Sequence, residues 1–298
     1  MTLPQYDEST HGESAYEIRA MSRDELVQVV GWAAAEGWNP GLCDVECFYA
    51  ADPNGFLIGL LDGEPIASIS AVKYGTDFGF IGFYMVRPDF RGKGYGLRIW
   101  RAGLARLEAR NVGLDGVIEQ QSNYAKSGFA IAHRNIRYEG IGTAECDDRS
   151  RIDAASLVDL VSLPTAIVNE YDQEIFLEQR SAFLDCWIQS SDHQALGIMH
   201  NQKIAGYGVL RPCQQGYKIG PLFADSPKLA EDLFLALKEQ VKAGSPFYLD
   251  VPGNNSAAVA LAQKYQMTSV FETARMYNRG APPLPLGRIY GITTFELG

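Results

Sequence analysis

The sequence predicts an α/β protein built twice over. Its two halves, 1–145 and 146–298, should each form a mixed, largely antiparallel sheet with helices on both faces. One observation is a self-similarity at an offset of 138 residues: Gly59, Ile66 and Ala67 of "IGLLDGEPIASISAV" match Gly197, Ile204 and Ala205 of "LGIMHNQKIAGYGVL". It persists in order, with Ile81 and Gly82 on Ile219 and Gly220, Lys126 on Lys264 and Arg137 on Arg275. Leu114 and Asp115 fall on Leu249 and Asp250 after a three-residue deletion. A second observation is that hairpin signals precede a strand, helix, strand pattern in each half, the order of a mixed sheet. The third is composition, since 298 residues at 46% hydrophobic content supply packed cores for two domains of ordinary size.

The elements follow in order. Amphipathic helical regions over 22–36 and 154–190 precede hairpins whose turns are "DGE" and "HNQ". Further strands follow at 78–86 and 216–223. Leu97, Trp100, Leu104 and Leu107, and likewise Leu233, Leu237 and Val241, recur at spacings of three and four, the stripe of a helix lying on a sheet. Strands "LDGVIE" and "FYLDV" come next, then a short helix and closing strands. The proline-rich "GAPPLPLG" reads as a connector to a last strand, "IYGITTFEL".

A net charge of −10 argues against a general nucleic-acid binder, which needs a broad basic surface. The start, "MTLPQYDESTHGES", lacks the basic and apolar regions of a signal peptide, and no apolar run reaches membrane-spanning length. A cytoplasmic protein that engages no membrane is expected, as a monomer or a homodimer. Of five cysteines, Cys43 and Cys47 lie close together without the further ligands of a zinc site. No metal is expected, and these two read as ordinary buried thiols.

The stretch "FYMVRPDFRGKGYGLRIWRAGLARL" concentrates six cations against one acid in this acidic chain. Its "RGKGYG" lies between a predicted strand and a predicted helix, where unpaired N–H groups and the positive end of the helix dipole suit a phosphate. Glycine permits close approach and positive φ there, and Arg91 and Lys93 add charge. A nucleotide P-loop does not fit, because no Gly-Lys-Ser/Thr follows. The dinucleotide fingerprint nearly fits, with Gly92, Gly94 and Asp115, but Leu97 stands where the third glycine belongs. A glycine-rich turn that binds nothing is the plain alternative.

"R-x-x-G-x-G" after a strand ending "V-x-P" also resembles the acyl-coenzyme A loop of the GNAT superfamily of N-acetyltransferases, with Arg91, Gly94 and Gly96 on the pattern. "YAKSGF", residues 124–129, resembles the family's later "Y-x-K-x-G-F" element, about thirty residues on. A whole-chain likeness to bacterial tandem-GNAT proteins rests on "GWNPG", "ADP-x-GF" and "GPLFADS". The resemblance implies acetyl-CoA as co-substrate, its diphosphate on Arg91, Gly92, Lys93, Gly94, Tyr95, Gly96 and Leu97. It also implies a pantetheine arm running beside Met85 and Val86 like an added strand.

Acetyl transfer to an amine needs a neutral amine, a stabilised oxyanion and a proton for the thiolate. A strand distortion near 84–86, permitted by glycine, would aim a backbone N–H at the thioester oxygen. The family likeness gives Tyr124 the proton-donor role; packing of its ring at a helix start is the alternative. Asp44 and Glu119 are the candidate bases, beside a water relay or a purely surface role for both acids. Trp38 would wall the amine or join the core. In the second half Tyr124 maps to Ala262, and Asp225 stands where positive charge is wanted, so no competent cofactor site is expected there. The expected function is acetyl transfer to the primary amine of a small molecule. An acyl-CoA sensor without turnover, and acylation of a protein lysine, remain open.

Overall fold

The computed structural model describes residues 15–143, 157–176 and 178–298. In the first half β1 (Tyr16–Ala20), α1 (Arg23–Ala35) and α2 (Asp44–Ala51) lead to β2 (Phe56–Leu61), β3 (Glu64–Tyr74) and β4 (Phe78–Val86). Then come α3 (Tyr95–Arg106), β5 (Asn111–Val117), α4 (Gln121–Lys126) and β6 (Ala130–Ile141). The second half repeats the plan with β7 (Leu157–Asp159), α5 (Thr165–Phe176), α6 (Ser181–Gln189), β8 (Gln194–His200), β9 (Lys203–Pro212) and β10 (Tyr217–Ala224). It continues through α7 (Pro227–Lys238), β11 (Pro246–Pro252), α8 (Ser256–Lys264) and β12 (Thr268–Tyr277), and adds β13 (Ile289–Gly291).

All the strands belong to one sheet of order β1-β2-β3-β4-β5-β12-β6-β11-β10-β9-β8-β7, with β13 on β10. The order is a palindrome about the β12–β6 pair, as a duplicated unit should give. Its centre is crossed, however. β12 pairs with β5 of the first half, and β6 pairs with β11 of the second. The halves thus exchange their closing strands, which the repeat alone did not predict. The expected division near residue 145 falls outside the described residues.

Local sequence sets the element ends. Ser22 and Glu25 close a reciprocal capping box at the start of α1. The helical region expected over 154–190 is composite: its described part opens with β7, and Leu163 is extended (ψ 150°) because Pro164 follows it. The final strand is shorter than expected, with only Ile289–Gly291 paired. On α3 the buried face is Ile99, Trp100, Gly103 and Leu107, while Leu97 is 51% exposed. Glycine suits position 103, since a Cβ there would lie 2.9 Å from Ile69 Cδ1. Three apolar cores result, one under α3, one under α7 and α8, and a central one shared by both halves, where Phe48 stacks on Trp187 at 6.2 Å. Cys47 is not a free thiol but is bonded to Cys186, tying α2 to α6. Cys43 is free and half-buried beside Asp192, at 3.1 Å. No helix among the described residues is long and apolar enough to cross a membrane.

The exchange is fixed by charge as well as by the ladder. Arg137 of β6 grips Asp250 of β11 at 2.6 and 2.8 Å, and its repeat mate Arg275 of β12 grips Asp115 of β5 at 3.1 and 2.7 Å. Asp44 is likewise buried and paired, to Arg211 of β9 at 2.9 Å, and it accepts the Gly41 N–H at 2.7 Å. Lys218 and Glu296 complete a buried group of charges at this junction. Burial, then Arg137, lowers the Lys218 pKa to about 8, and burial raises that of Glu296.

Arg275→Met leaves Asp115 buried without its cation and should destabilise the fold by about 3–5 kcal/mol; the double variant with Asp115→Leu should recover most of the loss in denaturant titrations. A second expectation concerns pH. Unfolded chains keep the Lys218 proton up to its ordinary 10.5, whereas the folded chain releases it near 8, so this group adds stability as pH rises between those values. Lys218→Met should flatten that rise in a series of melting curves.

Candidate functional site

β4 and β5 run parallel and pair only from Phe78–Asn111 to Ile81–Leu114. Beyond that they part. A bulge falls at the same place: Gly82 faces Ser70 and Met85 faces Ser68, so Phe83 and Tyr84 share the single partner Ile69. Phe83 has φ +44°, and its displaced carbonyl accepts from the buried Ser68 hydroxyl at 2.8 Å. The distortion expected at 84–86 therefore begins one residue earlier, and it is held by a side-chain hydrogen bond rather than permitted by glycine.

A cleft of about 680 Å³ opens in the gap. Of the residues expected to hold the co-substrate, Met85, Val86, Arg91, Gly92, Gly94, Gly96 and Leu97 line it; Lys93 and Tyr95 do not. Lys93 lies over the Phe90 ring and Tyr95 packs on Tyr16, because the chain turns away from the cleft at both. The loop glycines have distinct reasons. Gly92 (φ +76°) and Gly94 (φ +87°) take the left-handed turn that starts α3, while a Cβ on Gly96 would come within 2.9 Å of the Tyr84 hydroxyl. Arg91 is steered by the Val86 carbonyl, to which its Nε donates at 2.8 Å, and it pairs with Glu36 at the rim.

Tyr124 lines the cleft, its ring 5.3 Å from that of Trp100. Gly116 of β5 makes room for it, since a Cβ there would lie 2.8 Å from the Tyr124 ring. Burial, with a smaller push from Tyr84, holds its pKa well above the usual tyrosine value, so the hydroxyl keeps its proton. Trp38 and Glu119 also line the cleft, Glu119 exposed at its mouth. Asp44 is absent from it. Its pairing with Arg211 removes it from the candidates for a base and makes it a cross-half structural acid.

Arg137 of β6, and Phe271, Thr273, Phe295 and Glu296 of the second half, also line the cleft, none of them proposed from sequence. Their signal was hidden. "ITTFEL" reads as an apolar strand, and nothing local shows that its one acid returns to the opposite half. Trp38 is held in place by the same junction, because its carbonyl accepts from Arg137 Nη1 and Lys218 Nζ, each at 3.2 Å.

The equivalent gap in the second half is filled. β10 and β11 pair from Tyr217–Phe247 to Ile219–Leu249 and part as β4 and β5 do. β13 then pairs with β10 at Leu222–Gly291 and Phe223–Ile289, and Ile292 N–H donates to the Asp250 carbonyl at 2.9 Å. Asp225 does not cap α7, as an acid at a helix start could. Ser226 does so, while Asp225 pairs with Arg288 at 2.8 Å and accepts from Tyr171 at 3.0 Å.

The family model described as "Acetyltransferase (GNAT) family" matches residues 18–129, and that described as "Acetyltransferase (GNAT) domain" matches 168–291. A holothin acyltransferase from Pseudoalteromonas sp. (strain SANK 73390) is 32% identical over 277 residues, 93% of this chain and 92% of that protein. An acetyltransferase of provisional assignment from Pyrococcus horikoshii superposes with a TM-score of 0.79 over 99% of both chains, at 22% identity. A tandem GNAT protein from the clavulanic acid biosynthesis pathway superposes at 0.60, covering 90% of this chain and 99% of that one at 14% identity. The last two speak to fold alone. With both halves matched and a near full-length acyltransferase relative above 30% identity, the chain belongs to the GNAT acyltransferases, as a tandem protein of two GNAT domains.

Proposed function

We propose that the first half transfers an acetyl group from acetyl-CoA to the primary amine of a small molecule, with Tyr124 protonating the departing sulfur. The observation that carries this is one continuous cleft running from the positive-φ glycine turn at the start of α3 to a tyrosine hydroxyl. The turn suits a diphosphate: Gly92 and Gly94 have open space where a Cβ would be, so backbone N–H groups are approachable, and Arg91 supplies charge at the rim. Residues Arg91–Leu97 would hold the diphosphate, and the backbone of Met85 and Val86 the pantetheine arm. Acetyl-CoA brings an activated thioester. The protein's own contribution is to orient it along the bulged strand and to offer the Tyr124 proton. That hydroxyl makes no hydrogen bond among the described residues, which leaves it available to a thiolate.

Trp38, Phe271 and Phe295 line the same cleft, the last two from the second half, and we take them for the acceptor side. A pocket between two domains suits a small molecule better than a lysine on a protein surface. The name of the holothin acyltransferase relative points the same way. The filled gap beside β10 leaves one cofactor site per chain, the second half serving to shape the pocket. We also propose that the protein is cytoplasmic and a monomer or a homodimer.

Tyr124→Phe should lower kcat about 10²–10⁴-fold in a thiol-release assay while leaving the acetyl-CoA Kd within twofold. Equal turnover removes the acid role, and no thiol release by wild type with any amine would favour a sensor. Native mass spectrometry with acetyl-CoA should show one molecule bound per chain; two tight sites would contradict the filled second gap.

A further inference from the structure

We propose that Glu296, carried by the tail of the second half, is the base that takes the proton from the amine acceptor in the cleft of the first half. This rests on the acyl-transfer reading above. The location comes from Gly82, the residue immediately before the bulge. A Cβ there would lie 2.2 Å from the Glu296 carbonyl oxygen, so the tail lies directly on β4 where the strand is distorted. Glu296 and Tyr124 line one cleft. The tail is also fixed. Leu297 N–H donates to Thr294 Oγ1 at 3.0 Å, and the Leu297 carbonyl accepts from the buried Tyr74 hydroxyl at 3.0 Å.

Elimination among the acids gives the same answer. Asp115 is held by Arg275 and by Asn135 at 2.7 Å, Glu36 by Arg91, Asp44 by Arg211 and Asp250 by Arg137. Glu119 is exposed at the mouth, in water. Glu296 is 5% exposed yet makes no hydrogen bond or ion pair among the described residues. The nearby Lys218 ammonium is turned to the Trp38 carbonyl instead. A buried carboxylate without a bonded cation, opening on an acceptor pocket, is matched to an ammonium.

An alkyl amine has a pKa near 10 and arrives charged. Its nitrogen gives one proton to Glu296, the freed lone pair forms the C–N bond at the thioester carbonyl, the C–S bond breaks as the thiolate takes the Tyr124 proton, and the second proton of the new amide nitrogen leaves through water to the tyrosinate. Exchange with water restores Glu296. Groups facing Glu296 are Lys218 on β10, Arg137 on β6, Arg211 on β9 and Asp44 on α2. Burial, the largest influence, and Asp44 raise its pKa against the three cations, so activity should fall on the acidic side as Glu296 becomes protonated.

The test uses the full chain, acetyl-CoA, and a panel of holothin, polyamines, amino sugars and amino acids, followed by thiol release across pH. With the best acceptor, Glu296→Gln should lose at least about 100-fold in kcat/KM at neutral pH and lose the acidic limb of the profile. Its acetyl-CoA Kd by calorimetry should stay within twofold, showing an intact fold, and Glu296→Asp should restore part of the rate. Wild-type rate and an unchanged limb in Glu296→Gln overturn the base alone. So does an acidic limb abolished by Glu119→Gln instead. A wild type that binds no acetyl-CoA, or releases no thiol with any amine, overturns the acyl-transfer reading and the base together.

Discussion

The exchange of closing strands is the constraint on which everything else in this molecule depends. β6 and β12 each complete the other half's sheet, and each carries the arginine that neutralises an aspartate on its adopted neighbour. A bidentate arginine–carboxylate pair buried on a strand is intolerant of register error, since sliding by one residue turns the guanidinium to the other face. The two pairs therefore fix how the halves meet, and with it what the second half gives to the cleft. Arg137 shows the coupling directly, because it holds Asp250 and the Trp38 carbonyl and lines the cleft at once.

The duplicated halves use one geometry for opposite ends. In both, two parallel strands part after a short pairing and leave backbone groups open to an added strand. In the first half no strand among the described residues pairs in the gap, and the cleft there is lined by the positive-φ glycine turn at the start of α3. In the second, the protein's own β13 lies in the gap and satisfies those groups. Loss of the glycine turn and gain of this strand are mutually consistent. Parted strands with nothing between them leave backbone groups unpaired, and β13 closes that gap, since unpaired buried backbone is costly.

Much of this was legible in the sequence, for physical reasons particular to each feature. The loop was readable because positive φ at Gly92 and Gly94 leaves a glycine signature, and Tyr124 because its element has a fixed spacing from that loop. The repeat placed Arg137 opposite Arg275 and Asp115 opposite Asp250. It could not reveal that each arginine pairs across the halves, because exchanged and unexchanged strands share one sequence pattern. Asp44 misled for a related reason: an acid after "WNPG" looks solvated until its partner Arg211, far along the chain, is brought beside it. Leu97 fits a helical stripe by spacing, yet α3 turns a slightly different face inward and gives that leucine to the cleft.

The stretch from Ile289 to Glu296 begins inside one half's gap and ends against Gly82 of the other. It works as a ruler. A single residue inserted or deleted between those marks would slide the measured end along β4 and swing the carboxylate out of the pocket, with the plugged gap itself untouched. The length of this short piece of backbone, more than its composition, is what the two domains hold in common.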